Sequence, residues 1–226
     1  VDLPAIGFSS YVTINFWLLG IALILLWCPR QWLRLRGKAI PLPRRRSAHR
    51  QEREERDVSL RLGEELSKVR NWVDFVRAAA SSLTIGLCFE VLPDAGKAVH
   101  TQILVLQCAI FVVAVLIQTI RFSDRRLVLV PPVFFILGLS FGLLGWKAAV
   151  FAFIAIWIIN CVLPSAGFFL AVFAGLEIVF GLLLSRTSLA WIILASSLAM
   201  LPVVLSAMVN RRLGRSNTKK RPRTTS

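Results

Sequence analysis

Apolar residues run through this chain in long blocks and do not alternate with polar ones. A half-buried strand shows a period of two, and a surface helix shows a period near 3.6. A block that is apolar on every face belongs to a helix wrapped in other apolar matter. Seven such blocks follow one another: Tyr11 to Trp27, Trp72 to Leu92, Thr101 to Ile120, Leu127 to Leu144, Ala148 to Leu163, Phe168 to Leu184 and Leu189 to Val209. Each is close to the roughly 17–25 residues that cross a hydrocarbon layer. Pro29, Arg121, Pro164 and the pair Arg211 and Arg212 stop four of them. The pattern predicts an all-α fold, a polytopic membrane bundle of seven transmembrane helices.

One region admits a second reading. The fourth and fifth blocks are short, and only Gly145, Trp146 and Lys147 separate them. They fit two full crossings. They also fit a re-entrant pair of half-helices, which leaves five spans and is tolerated where protein covers the open backbone ends. The second block is the least apolar and contains Asp74, Arg77 and Glu90.

Composition narrows the class. Hydrophobic residues make up 56% of the 226 residues and charged ones 17%, against about 25% charged in ordinary soluble domains. A soluble globule of this size has no place to bury that much apolar surface. The net charge of +15 would point to nucleic acid in a soluble protein. Here its distribution matters more. With the N-terminus outside, segments 30–71, 121–126 and 210–226 fall inside and hold 23 of the 27 basic residues. Cytoplasmic segments carry such an excess, so the expected orientation is N-terminus outside and C-terminus cytoplasmic. The chain opens at Val1 without a basic leader region, and the first block is read as a retained span.

The resulting organisation is a first transmembrane helix (1–29), a basic cytoplasmic loop (30–71), a six-helix bundle (72–209) and a basic, disordered cytoplasmic tail (210–226). Within the loop, Val58, Leu62, Leu66, Val69 and Val73 form one helical stripe. They predict an amphipathic helix over about 51–70 that runs on into the second span. Arg44, Arg45 and Arg46 in the loop, and Lys219, Lys220 and Arg221 in the tail, are candidates for docking anionic lipid headgroups or a partner. No aromatic residue lies between Arg34 and Arg56 to stack a base, so nucleic acid is not the expected partner.

Polar residues inside the blocks need a reason. A charged side chain at a helix centre costs about 2.5–3.5 kcal/mol on insertion scales. Glu177 stands nine residues from both Phe168 and Arg186, near the middle of its block, and shares a face with Ala174 and Gly181. It is read either as a protonated group joining two helices or as a proton, ion or substrate site. Asn160, one turn before Pro164, is a candidate for bonding a carbonyl or a neighbouring helix. Glu90 is the third intramembrane candidate. Asp94 and His100 are its outer-surface neighbours, with Lys97 nearby. Asp74 and Arg77, three residues apart, are expected to pair or to reach the headgroups. Small residues at helical spacing, Gly138 with Gly142 and Gly167 with Ala171 and Gly175, mark faces where helices approach closely.

Catalytic signatures are absent. The sequence holds no P-loop, dinucleotide fingerprint, H-E-x-x-H or G-x-S-x-G. Its four cysteines sit in or beside apolar blocks without C-x-x-C spacing, and His49 and His100 fall on opposite sides. No metal site is expected, and no pattern names a cofactor. Three classes remain. The first is a non-catalytic integral subunit or scaffold that joins other integral membrane subunits. The second is a small ion- or proton-coupled transporter centred on Glu177. The third is an integral enzyme acting on a lipid-linked substrate. Short connections favour a bacterial plasma (inner) membrane.

Overall fold

The computed structural model describes residues 12–29, 66–92, 96–123, 126–163 and 165–209. These are mostly helical. In chain order they form β1 (Val12–Ile14), α1 (Phe16–Trp27), α2 (Val69–Cys88), β2 (Phe89–Val91), α3 (Lys97–Thr119), β3 (Ile120–Ser123), β4 (Arg126–Leu129), α4 (Val133–Leu144), α5 (Trp146–Ile159), a single 3-10 turn (Asn160–Val162), α6 (Ala166–Leu184) and α7 (Leu189–Met208). Three helices, α3, α6 and α7, are long and apolar enough to cross a membrane, which is compatible with a helical membrane protein. At 1.5 Å per residue, the 20 residues of α7 extend about 30 Å.

The helices alternate in direction. Gly138 on α4 lies against Phe75 and Ala78 of α2, and Gly142, one turn on, lies against Ser82 and Leu83. α2 and α4 therefore run parallel. Ser140 on α4 meets Glu177 on α6, and Ser185, just past α6, donates to the carbonyl of Leu144 at 2.8 Å. α6 is parallel to both. At the opposite end, Gln118 near the end of α3 donates to the carbonyls of Leu26 and Cys28 at the end of α1. α1 and α3 thus share the other direction. Gly181 against Ile192 sets α7 antiparallel to α6.

Several predicted boundaries move. The first block is not helical throughout: Val12–Ile14 is extended and pairs antiparallel with Phe89–Val91, so Thr13 faces Glu90. α1 starts at Phe16 because Asn15 caps it, its side chain accepting from Leu18 N at 3.2 Å. The second block stops being helical at Cys88, and Glu90 lies exposed on β2, off the helix. The fourth block loses its first residues to β4, which folds back on β3 with Arg121 opposite Val128. Pro131 and Pro132 explain this, because a proline supplies no backbone donor and restricts the residue before it to extended geometry. The four short strands are therefore exceptions to an all-α chain. Lys68 is extended at the start of α2, so the helix expected over 51–70 does not continue unbroken into the second span. Its residues 51–65 lie outside the described residues.

Between α4 and α5 the chain turns at Gly145, at φ 79° and ψ 157°. A side chain is strained there, and glycine is not. α4 is the central helix: ten of its 12 residues are buried. The Gly138–Gly142 face is packed inside the molecule against Ala78 and Ser82. Gly175, by contrast, meets no neighbouring helix among the described residues, and Gly167 and Ala171 are half-buried.

Candidate functional site

Two groups of buried polar side chains link the helices. The first is Glu177, which is fully buried with Ala174 and Gly181 on its face. Its Oε1 lies against the Ser140 hydroxyl, which is also 3.0 Å from the carbonyl of Ile136. A hydroxyl has one proton, so it donates to one neighbour and accepts from the other. A carbonyl only accepts. A carboxyl proton on Glu177 therefore satisfies both contacts at once. Glu177 makes no ion pair among the described residues. Its Oε2 has no hydrogen-bond partner among the described residues.

That geometry gives a prediction. Glu177→Gln keeps a donor and an acceptor in the same shape and is expected to change stability by less than about 1 kcal/mol. Ser140→Ala leaves a second oxygen without a partner and is expected to cost about 1–3 kcal/mol. Thermal unfolding in detergent measures both. A large loss in Glu177→Gln alone would mean that the fold needs a carboxylate.

The second group surrounds the end of α1. Helix ends leave carbonyls without intrahelical partners. Gln118 Nε2 donates to the carbonyl of Leu26 at 3.1 Å and to that of Cys28 at 3.0 Å. Arg77 also donates to the carbonyl of Cys28. A cation there complements the negative end of the helix dipole. Arg77 pairs with Asp74 at 3.2 Å, and its guanidinium lies over the Phe135 ring, 5.4 Å from the centroid. The expected pair thus forms, with both side chains buried in the protein. Deeper in, Gln107 Nε2 donates to the carbonyl of Ile85 at 3.3 Å and joins α3 to α2. Gln107, Gln118 and Ser140 were not anticipated. An amide in an apolar block is a signal for the two glutamines. Serine gives none, because it readily bonds its own helix.

The other candidates stay apart. Asn160 is buried in the turn after α5, where its carbonyl accepts from Leu163 N. His100 is exposed in the first turn of α3, near the carbonyl of Gly96. Glu90 lies exposed on β2. Asp94, Arg44, Arg45, Arg46, Lys219, Lys220 and Arg221 lie outside the described residues. No group of three or more His, Cys, Asp or Glu suited to a metal occurs among the described residues. Comparison with protein-family models, with curated proteins and with solved structures finds no match to this chain.

Proposed function

We propose that this chain is an integral membrane protein acting as a non-catalytic subunit or scaffold of a larger membrane assembly, in a bacterial plasma membrane. The observation that carries the reading is the use made of the buried polar side chains. Arg77, Gln107, Gln118, Ser140 and Ser185 each bond another helix or cap one. Each of these bonds holds one helix against another or closes a helix end.

Several features support a membrane setting and seven crossings. Exposed tryptophans stand at the two ends of the bundle: Trp17 and Trp146 where α1 and α5 begin, Trp27 and Trp72 where α1 ends and α2 begins. Such belts form at the two faces of a bilayer. Between them the outward residues are apolar, among them Val105 and Val113 of α3, Ile154 and Ile158 of α5, and Ile178 and Leu182 of α6. The turn at Gly145 lies level with the end of α6, because Ser185 caps Leu144. Near the start of α4, Phe134 meets Trp72 and Trp157. α4 and α5 therefore reach from one end of their neighbours to the other, which favours two crossings over a re-entrant pair. The end of the bundle at which α1, α3 and α7 stop is cytoplasmic on this reading, as the basic count over 30–71, 121–126 and 210–226 requires.

Gentle extraction from the native membrane, followed by native mass spectrometry, tests the proposal. Stoichiometric protein partners that survive a detergent wash are the expected result. A lone chain or homo-oligomer overturns the subunit reading. One observation favours the transporter instead: the buried Oε2 of Glu177 without a partner, since an intramembrane acid is a functional candidate by default. On that reading, vesicles containing only this chain transport a proton or ion, and Glu177→Gln abolishes it.

A further inference from the structure

We propose that the contact between Glu177 and Ser140 is a proton-operated latch: the carboxylic acid holds α6 against α4, and loss of its proton releases that seam. The latch goes beyond both readings above, since it requires neither a partner subunit nor a transported ion. Glu177 is fully buried. Among the described residues its Oε1 meets one polar group, the Ser140 hydroxyl, and that hydroxyl also reaches the carbonyl of Ile136 at 3.0 Å. With a proton on Oε1, Glu177 donates to Ser140 and Ser140 donates to Ile136, so each proton has an acceptor. As a carboxylate, Glu177 draws the Ser140 proton away from Ile136 and gains nothing at Oε2, which has no hydrogen-bond partner among the described residues.

No cation stands near to replace the proton. α6 packs chiefly against α4, α5 and α7. α4 and α7 contain no ionisable side chain, and α6 contains none besides Glu177. α5 contains one, Lys147 in its first turn. Lys147 is exposed, with its ammonium 5.8 Å from the centroid of the Trp146 ring. It follows the Gly145 turn, which is level with Ser185, and eight residues of α6 place Glu177 roughly 12 Å from that level. On α2, Asp74 and Arg77 pair with each other.

Removing the proton therefore leaves an unpaired charge in an apolar interior, a state that requires water or a counter-ion to reach it. α4 and α6 part at this level to admit water. A second tie, Ser185 to the carbonyl of Leu144 at 2.8 Å, involves no titratable group. The middle of the seam opens while the end near Gly145 stays fastened. In the unfolded chain the carboxyl reaches water and is ionised at neutral pH. The folded chain then holds one proton more, so stability falls as pH rises. Each pH unit multiplies the unfolding constant about tenfold until Glu177 ionises within the fold, and from there the slope vanishes.

The test uses the full chain in mild detergent. Unfolding is followed from about pH 6 to about pH 9 for the wild type and for Glu177→Gln, which keeps the shape of the acid and does not titrate. The wild type is expected to lose ground to Glu177→Gln as pH rises, by up to about tenfold in the unfolding constant per pH unit. Ser140→Ala is expected to be less stable than the wild type and to keep its response to pH. Infrared spectra of the wild type need no variant: a protonated-carboxyl band is expected at neutral pH, fading as pH rises. Hydrogen exchange locates the opening. Amides around Ser140 and Glu177 are expected to exchange alike in the wild type and Glu177→Gln near the acid end of the range, and faster in the wild type near the alkaline end. Parallel unfolding curves for the two chains, or no acid band at neutral pH, overturn the latch. A wild type that loses stability with pH while α4 and α6 exchange as in Glu177→Gln overturns the opening of the seam.

Discussion

Alanine at Gly138 is expected to destabilise the protein by about 3 kcal/mol, and alanine at Gly142 by less. The difference lies in what the new methyl group meets. At Gly138 it would overlap the backbone carbonyl of Phe75, with the Ala78 Cβ at 2.9 Å and the Ala79 N at 3.1 Å. Backbone atoms in the middle of α2 cannot rotate aside, so one helix must shift against the other. Overpacking of a filled interior costs about 1–3 kcal/mol, and a backbone obstacle places Gly138 at the upper end. At Gly142 the first obstacle is the Ser82 side chain, with the Leu83 N at 2.9 Å. Ser82→Gly removes the nearer contact and should recover much of the loss at Gly142. It should do nothing for Gly138→Ala. Detergent-titrated unfolding followed by circular dichroism measures each variant. A Gly138→Ala protein that unfolds like the wild type would mean that α2 and α4 do not approach this closely. A variant that keeps its fold but loses self-association would place the seam between copies of the chain.

Sequence and structure agree best where the chain is most uniform. The blocks Thr101 to Ile120, Phe168 to Leu184 and Leu189 to Val209 correspond closely to α3, α6 and α7, since unbroken apolar sequence closed by polar residues leaves little choice of boundary. The ends of the other blocks were not legible. Val12, Ile14 and Val91 are as apolar as helix residues, and hydropathy does not separate an extended segment from a helical one. Only the pairing of β1 with β2, far apart in sequence, makes them strands. The depth of Glu177 could be read from its distance to the block ends. Its neighbour Ser140 could not, because nothing in the sequence says which helix faces which. The same holds for Gly138 and Gly142: their spacing announces a close approach, and the structure supplies α2 as the partner.

Arg77→Met is expected to cost about 3–5 kcal/mol, and Asp74→Asn in the same chain should return a large part of it. Arg77 is 6% exposed and Asp74 2%. Removing the guanidinium takes from the buried Asp74 carboxylate its ion pair with Arg77, and breaking one side of a buried pair is costly. The second substitution removes that charge, and an amide is cheaper to bury than a carboxylate. Recovery stays incomplete for a separate reason: Arg77 also donates to the carbonyl of Cys28, which then keeps only the Gln118 amide among the described residues. Arg77→Lys should fall between, because an ammonium is a point donor and lacks the planar fork that reaches Asp74 and Cys28 together. The damage should be local. α1 is only 12 residues long, and its far end is fastened to Arg77 and Gln118. In Arg77→Met it should become sensitive to protease before α6 and α7 do. Unfolding free energies of the two single variants and the double variant separate the contributions. Additive losses would mean that Asp74 and Arg77 do not act as a pair, and that the clamp on α1 is held by hydrogen bonds to its carbonyls alone.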